Sequence, residues 1–429
     1  MKKVLCIILA AVMALAAVSA NGLSVFAADK SEKYIVGDVN SDGKINSADA
    51  LLILQFAAGL KDFSAEQKTA ADISNDGSVN SEDAYAVLKL RADTVLDNAG
   101  IDLKAYSELG YSYLYNVIAN YKEFINEVGT DGTKIPMIIS SDQHGTIKAD
   151  CTVFKFIDEL VDWNRISKVI SLGDTVELLF NPVQLKAFSK AMQYVPNEKR
   201  LELEGNHDSH ISLIKRNMDK YFIAPSAVKS EDGKAFCVKD DSFNVRYLAV
   251  NPMSYPWTYK SGRINTEQAD FIVAELEKND SSDIILLSHT YLFRDEIIKR
   301  DGTAFTGSDY FIGSDKKGTD VKQSFLDMLD ARQERKAGVF TDSDGIKHPY
   351  DFTECKGELL MSLHGHHHTE GYETYEGFTE FLFQSFAHNG SENDDEPNCF
   401  YFAYIDKENK KFKCWKNIEG YSAWEIDIA

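Results

Sequence analysis

From residue 135 onward, short apolar runs alternate with helical patterns, and five of the runs pass directly into Asp, His or Asn. The runs cover 136–140, 169–172, 201–203, 247–250, 284–287 and 359–363, with later ones at 381–386 and 400–405. Alternation of this kind argues for an α/β fold, and the short late strands add mixed character. The first run is followed by Asp142-Gln143-His144 and the second by Gly173-Asp174. The third is followed by Gly205-Asn206-His207-Asp208, the fifth by His289, and the sixth by His364-Gly365-His366-His367-His368. Metal-type ligands thus emerge at the carboxyl ends of successive strands, where open α/β sheets keep their sites. The glycines beside them let backbone approach closely. Half of the chain's ten histidines, His144, His207, His289, His366 and His368, stand at these tips. The i, i+2 pair His366 and His368 can point to one side of an extended segment, with His367 turned away.

DxH, GD, GNHD, H and GHxH, in that order, resemble the calcineurin-like metallophosphoesterases over residues 135–417. The resemblance implies a two-sheet β-sandwich flanked by helices. It implies one metal held by Asp142, His144, Asp174 and His368, and a second held by Asp174, Asn206, His289 and His366, with Asp174 bridging. Two divalent ions about 3.5–4 Å apart clamp a phosphate, and a water between them is acidified to a metal-bridging hydroxide that attacks phosphorus in line. Imidazole and carboxylate donors without thiolate favour Mn, Fe, Zn or Co over Mg. His207 is expected to protonate the leaving oxygen, and Asp208 to orient His207. Two departures narrow the subfamily. Glu177 stands where purple acid phosphatases place Tyr, and GNHD replaces the GNHE of protein Ser/Thr phosphatases. The pattern is closer to cyclic-nucleotide-type phosphodiesterases and broad phosphoesterases.

A second feature is an internal duplication. Residues 37–49 read GDVNSDGKINSAD and residues 71–83 read ADISNDGSVNSED. Oxygen side chains fall at loop positions 1, 3, 5, 9 and 12: Asp38, Asn40, Asp42, Asn46 and Asp49, then Asp72, Ser74, Asp76, Asn80 and Asp83. Lys44 and Ser78 occupy position 7, where a backbone carbonyl serves, and Gly43 and Gly77 take the sharp turn at position 6. Such spacing wraps oxygens around Ca²⁺. Each loop runs into an apolar helix (50–58 and 84–90), and no entering helix precedes the first. This arrangement resembles a type I dockerin over residues 34–95. The resemblance implies two bound Ca²⁺ and docking to a cohesin on a scaffold such as a cellulosome or on a cell surface. Ser47 and Ala48, with Ser81 and Glu82 in the second copy, would contact the cohesin.

Lys2 and Lys3 before an apolar stretch (4–18) read as a secretory signal peptide over 1–28, cleaved after Ala20 or Ala27. No later stretch is apolar enough to span a membrane, so a secreted chain without a transmembrane segment is expected. Residues 96–134 read as a helical connector, with a Tyr-rich helix over 104–128, and 418–429 as a tail. The five cysteines beyond the signal are scattered, so neither a disulfide framework nor a thiolate zinc site is supported. With 46 Lys plus Arg against 67 Asp plus Glu, the net charge of −21 disfavours a long nucleic acid as partner.

The expected protein is a secreted, scaffold-docked phosphoesterase acting on a phosphomonoester or phosphodiester, small or glycan-linked. Two rivals stand beside it. One is a degenerate phosphoesterase fold that binds phosphorylated glycan or cell wall without turnover. The other is a phospholipid hydrolase, for which Trp257, Phe305 and Phe311 are the candidate anchors.

Overall fold

The structure is a computed structural model that describes residues 37–41, 47–73, 77–88, 101–109, 111–144, 147–176, 182–208, 226–252, 262–291, 297–305, 321–375, 377–386, 399–417 and 423–428. The expected signal segment lies outside the described residues, as do Asp42, Lys44, Asn46, Ser74, Asp76, Glu177, Trp257 and Phe311. The described residues form two compact units, one up to Lys122 with Asn417, the other Glu123–Lys416 with 423–428. Among them, no helix is long and apolar enough to cross a membrane.

The first unit is helical. It holds α1 (Ser47–Ala57), α2 (Ala65–Ala71) and α3 (81–88). α2 is started by a reciprocal cap: Ser64 Oγ accepts from the Gln67 amide, and the Gln67 side chain accepts from the Ser64 amide, each at 3.2 Å. Its apolar core is small: Val39, Ile53, Phe63 and Val87 pack with Ala50, Ala71 and Ala84. The helix expected over 104–128 is a 3₁₀ segment (Leu103–Leu109) followed by α4 (Tyr111–Val128). Gly110, a poor helix-interior residue, stands between them in the sequence.

The second unit carries the α/β fold. Its early strands are β1 (Lys134–Ser140), β2 (Lys168–Ser171), β3 (Arg200–Glu202), β4 (Val228–Lys229), β5 (Phe236–Asp240) and β6 (Val245–Ala249). There follow β7 (Asp283–Leu287), β8 (Ile297–Lys299), β9 (Ala304–Phe305), β10 (Ala337–Thr341), β11 (Lys347–Asp351) and β12 (Leu359–His364). The last are β13 (Gly371–Tyr375), β14 (Phe378–Leu382), β15 (Tyr401–Asp406), β16 (Lys411–Lys416) and β17 (Ala423–Asp427). The segment expected as a tail therefore contributes an edge strand. The helices are α5 (Ile147–Leu160), α6 (Pro182–Ala191), α7 (Thr266–Leu276) and α8 (Val321–Glu334).

One sheet runs β17-β16-β15-β1-β2-β3, the other β4-β5-β6-β7-β12-β14-β13-β8-β9. β1, β2 and β3 are parallel in the first; β6, β7, β12 and β14 are parallel in the second. The sheets meet through aromatic rings, Phe381 on Phe412 at 4.7 Å and Phe383 on Tyr401 at 4.9 Å. α7 and α8 bury Ile272, Phe325 and Met328 in one core with Leu248, Ile284 and Leu286 of the nine-stranded sheet. On the six-stranded sheet, Phe124 of α4 stacks on Phe402 at 5.5 Å. The expected two-sheet sandwich flanked by helices, with a small helical module before it, is the architecture observed.

The stretch 341–351 is the end of a hairpin in which β10 pairs with β11. Its anchor is Asp342, which is fully buried. One Asp342 oxygen accepts the amides of Asp344 and Ile346, both at 2.8 Å. The other accepts Thr266 Oγ1 at 2.7 Å and faces His348 Nε2 at 2.9 Å. Burial alone would raise this carboxyl, but the bonds from His348, Thr266 and the two amides outweigh it and hold it below the ordinary 3.8. A depressed carboxyl contributes stability above its unfolded value and loses it as pH falls through its folded value. Asp342→Asn is therefore expected to cost about 1–3 kcal/mol at pH 7. The deficit, read from urea unfolding, should shrink as the solution is acidified below pH 3.8.

Candidate metal centre and calcium loops

The carboxyl ends of β1, β2 and β3 meet those of β7 and β12 at one rim, and all seven residues expected as transition-metal ligands converge there. Two groups form. In the first, His144 Nε2 and His368 Nε2 face each other at 2.9 Å, with Asp142 Oδ1 3.4 Å from His368 Nε2 and 3.9 Å from His144 Nε2. In the second, His289 Nε2 lies 3.1 Å from Asp174 Oδ2 and 3.0 Å from Asn206 Oδ1, and the His366 ring is 5.1 Å from that of His289. The donor atoms of Asp142, His144 and His368 lie within 4.8 Å of one another, as do those of Asp174, His289 and His366. Asp174 clusters with the second group; its chain ties it to the first, since its carbonyl accepts the His144 amide at 3.0 Å.

The backbone is bent to make this possible. Asp142, His144, Asp174, His366 and His368 all have φ between 45° and 76°. Left-handed backbone at a non-glycine residue costs about 1–3 kcal/mol each and gathers at functional sites. His366 and His368 do not lie on one side of an extended segment, as the i, i+2 spacing suggested. Both are left-handed, and they join different groups. Two glycines clear the space. A Cβ on Gly205 would stand 2.1 Å from Asp174 Oδ1, and one on Gly365 would stand 1.9 Å from Ser141 Oγ.

The charges are matched inside the rim. Burial would raise the Asp142 carboxyl, but the imidazoles of His368, His289 and His144 hold it well below the usual carboxylate range. Burial would lower His289, yet Asp174, Asp142 and the Leu172 carbonyl push it up to about 9. His289 Nδ1 donates to that carbonyl at 2.8 Å, which turns Nε2 toward the donor group. Two buried carboxylates, four imidazoles and an amide oxygen, all without sulfur, form a donor set that suits divalent transition ions.

His207 and Asp208 separate. The His207 side chain is 27% exposed, edge-on to His144 at 4.8 Å, with Nε2 4.0 Å from Asp174 Oδ2. Its amide donates to Asp174 Oδ1 at 2.8 Å. Asp208 does not orient it. The buried Asp208 carboxylate instead accepts the amides of Thr175, Val176 and Gly205 at 2.9–3.2 Å and so staples the two ligand loops together. Burial, with Asp174 nearby, pushes this carboxyl up to about 7 against the pull of those amides.

Other positions are structural. Gln143 turns inward to the hydroxyls of Ser140 and Ser171. His364 is pushed down to about 3 by burial, and its Nε2 meets Ser362 Oγ at 2.7 Å. Arg300 is engaged with Glu370 at 2.7 Å and lies over Trp424. Two contacts escaped the sequence reading. Ser141 Oγ donates to Asp142 Oδ2, and Ser385 Oγ donates to the Asp142 carbonyl at 2.8 Å. Ser141 is adjacent to Asp142 and could have been found; nothing in the sequence signals Ser385.

In the helical unit, Asp49 is fully buried at loop position 12, and its Oδ1 accepts the amides of Val39 at 2.9 Å and Asn40 at 3.1 Å. The second copy is tied by different bonds: Asp83 Oδ2 accepts the Asn80 amide, and Asp72 Oδ2 accepts the Gly77 amide, both at 2.9 Å. Asp38 is buried as well.

Residues 36–90 match the dockerin type I domain family.

Within the dockerin, Ala48, Ser81 and Glu82 are exposed and Ser47 half-exposed at the starts of α1 and α3, a position open to a partner. No curated protein matches the chain. Among solved structures it is similar to a predicted phosphoesterase of Streptococcus pneumoniae, at 13% identity and TM-score 0.29, over 68% of this chain and 97% of that one. A novel archaeal phosphodiesterase gives 12% identity and TM-score 0.29, over 66% of this chain and 99% of the other. A phosphopantetheinyl hydrolase from Mycobacterium tuberculosis gives 11% and 0.29, over 59% and 91%. Identities and scores this low assign no activity here.

Proposed function

We propose that the chain is a secreted phosphoester hydrolase dependent on two divalent transition ions and docked through its dockerin to a cohesin-bearing scaffold. The observation that carries this reading is the pair of donor groups side by side at one rim, with the part-exposed His207 ring against His144. Asp142, His144 and His368 would hold one ion, and Asn206, His289 and His366 the other, with Asp174 serving both. When bound, such ions supply Lewis acidity toward phosphoryl oxygens and lower the pKa of a water. The protein's own work is positioning. The left-handed loops hold the donors in place, and the Leu172 carbonyl fixes the His289 tautomer. His207 holds a proton at Nε2 for the leaving oxygen. The calcium loops close through Asp49 and Asp83, and Ser47, Ala48, Ser81 and Glu82 form the cohesin face.

The test is hydrolysis of bis-p-nitrophenyl phosphate beside p-nitrophenyl phosphate, after chelation and re-addition of Mn, Fe, Zn or Co. Metal-restored turnover is expected, and the ratio of rates assigns diester or monoester. Absence of turnover with every metal, in a folded chain that takes up two ions, would favour a binding role.

A further inference from the structure

The rim that carries the donor groups also carries a groove that the proposed chemistry leaves unassigned. One wall is the end of β3, with Glu204; the other is the end of β6, with Asn251; Lys234 and Phe236 close it from the β4–β5 side. Its position relative to the donors follows from register. Ala249 pairs with Leu287 in parallel strands, and the Val250 amide donates to the Leu287 carbonyl at 2.9 Å. Asn251 therefore stands level with His289. On the other wall, Glu204 is two residues before Asn206, whose Oδ1 lies 3.0 Å from His289 Nε2. Both walls are thus neighbours, one by register and one along the chain, of members of the second donor group.

The chemistry of the walls narrows the occupant. Glu204 Oε2 accepts from Lys234 Nζ at 2.6 Å and from Asn251 Nδ2 at 3.4 Å. Both charged side chains are part-exposed, 20% for Glu204 and 14% for Lys234. The charges of this pair cancel, so the pair itself calls for neither a second phosphate nor an ammonium group; Glu202, also in the lining, pairs with Arg200 at 2.7 Å, and Lys229 adds one exposed cation. A wholly apolar occupant would desolvate this ion pair with nothing to replace its water. What the walls offer is the second carboxylate oxygen as acceptor, the remaining ammonium protons as donors, and the Phe236 ring as an apolar flank. Vicinal hydroxyls on a carbon skeleton use all three, because each hydroxyl both donates and accepts.

We infer that this groove is the leaving-group subsite of the proposed hydrolase and takes a hydroxyl-rich group, a sugar or short polyol esterified to the phosphate. The inference rests on the hydrolase reading above.

The test uses the full chain loaded with Mn. Lys234→Met is expected to lower the ratio of kcat/KM for glucose 1-phosphate to that for p-nitrophenyl phosphate by about ten-fold, chiefly through KM. Lys234→Arg should restore most of the ratio. A larger loss with glucose 1-phosphate than with glycerol 1-phosphate assigns a sugar, the reverse a short polyol. An unchanged ratio in Lys234→Met overturns the inference. Calorimetry with the phosphonate analogue of glucose 1-phosphate, which is not hydrolysed, gives an independent readout: Kd should rise about ten-fold in Lys234→Met. Equal affinity overturns the inference. If the unsubstituted chain turned over neither ester, the hydrolase reading would fail, while the calorimetric comparison would still decide the groove.

Discussion

Asp174→Asn is expected to lower kcat/KM by more than about a hundred-fold and to reduce bound transition metal in the same preparation. Losing an outer partner of a metal ligand typically costs about 10–100-fold, and Asp174 is placed as a donor itself. The side chain is 2% exposed, so the substituted residue has no room to turn away. One oxygen accepts the His207 amide at 2.8 Å and the other faces His289 Nε2 at 3.1 Å. An amide nitrogen facing the His207 amide would meet a hydrogen where an acceptor is required, and in either orientation the negative charge is gone. Because Asn matches Asp in shape, the fold should survive, and elemental analysis beside kinetics separates metal loss from unfolding. Full activity with normal metal content would contradict the role given to Asp174.

Asp49→Ala is expected to drop calcium binding from two ions per chain to one and to cost about 2–4 kcal/mol, because the buried Val39 amide and the part-buried Asn40 amide lose their acceptor. The dockerin can ill sustain the loss. Its core has Val39, Ile53, Phe63 and Val87 as its only buried apolar side chains larger than alanine among the described residues of that cluster. A core this small leaves little net stability, so ion binding becomes folding energy. A calcium titration by calorimetry, with thermal unfolding in calcium and in chelator, reads both effects. Undiminished binding of two ions by the variant would contradict the loop assignment.

Much of this was legible in the sequence because it is local. Each of the eight apolar runs from 136 to 405 overlaps an observed strand, since a buried strand must be apolar along its length. The ligand tips were legible because a strand's carboxyl end fixes where the next residues emerge. What escaped is set across the chain. The β10–β11 hairpin hid behind Asp and Gly turn residues, and β11 alternates exposed and buried positions instead of running apolar. β17 is a short edge strand whose register exists only once β16 is in place. The left-handed φ values at the tips depend on two sheets closing on one rim. Asp208 was placed beside His207 because the two are adjacent in sequence; its true partners, Thr175 and Val176, lie on a different strand's loop.

The most direct measurement follows phosphoester turnover by the chelated chain against bound transition-metal equivalents, with calcium held constant. The account expects turnover to be absent at zero and to reach its plateau as occupancy approaches two ions per catalytic unit. Full turnover in the chelated chain, or a plateau with no transition ion bound, would contradict it.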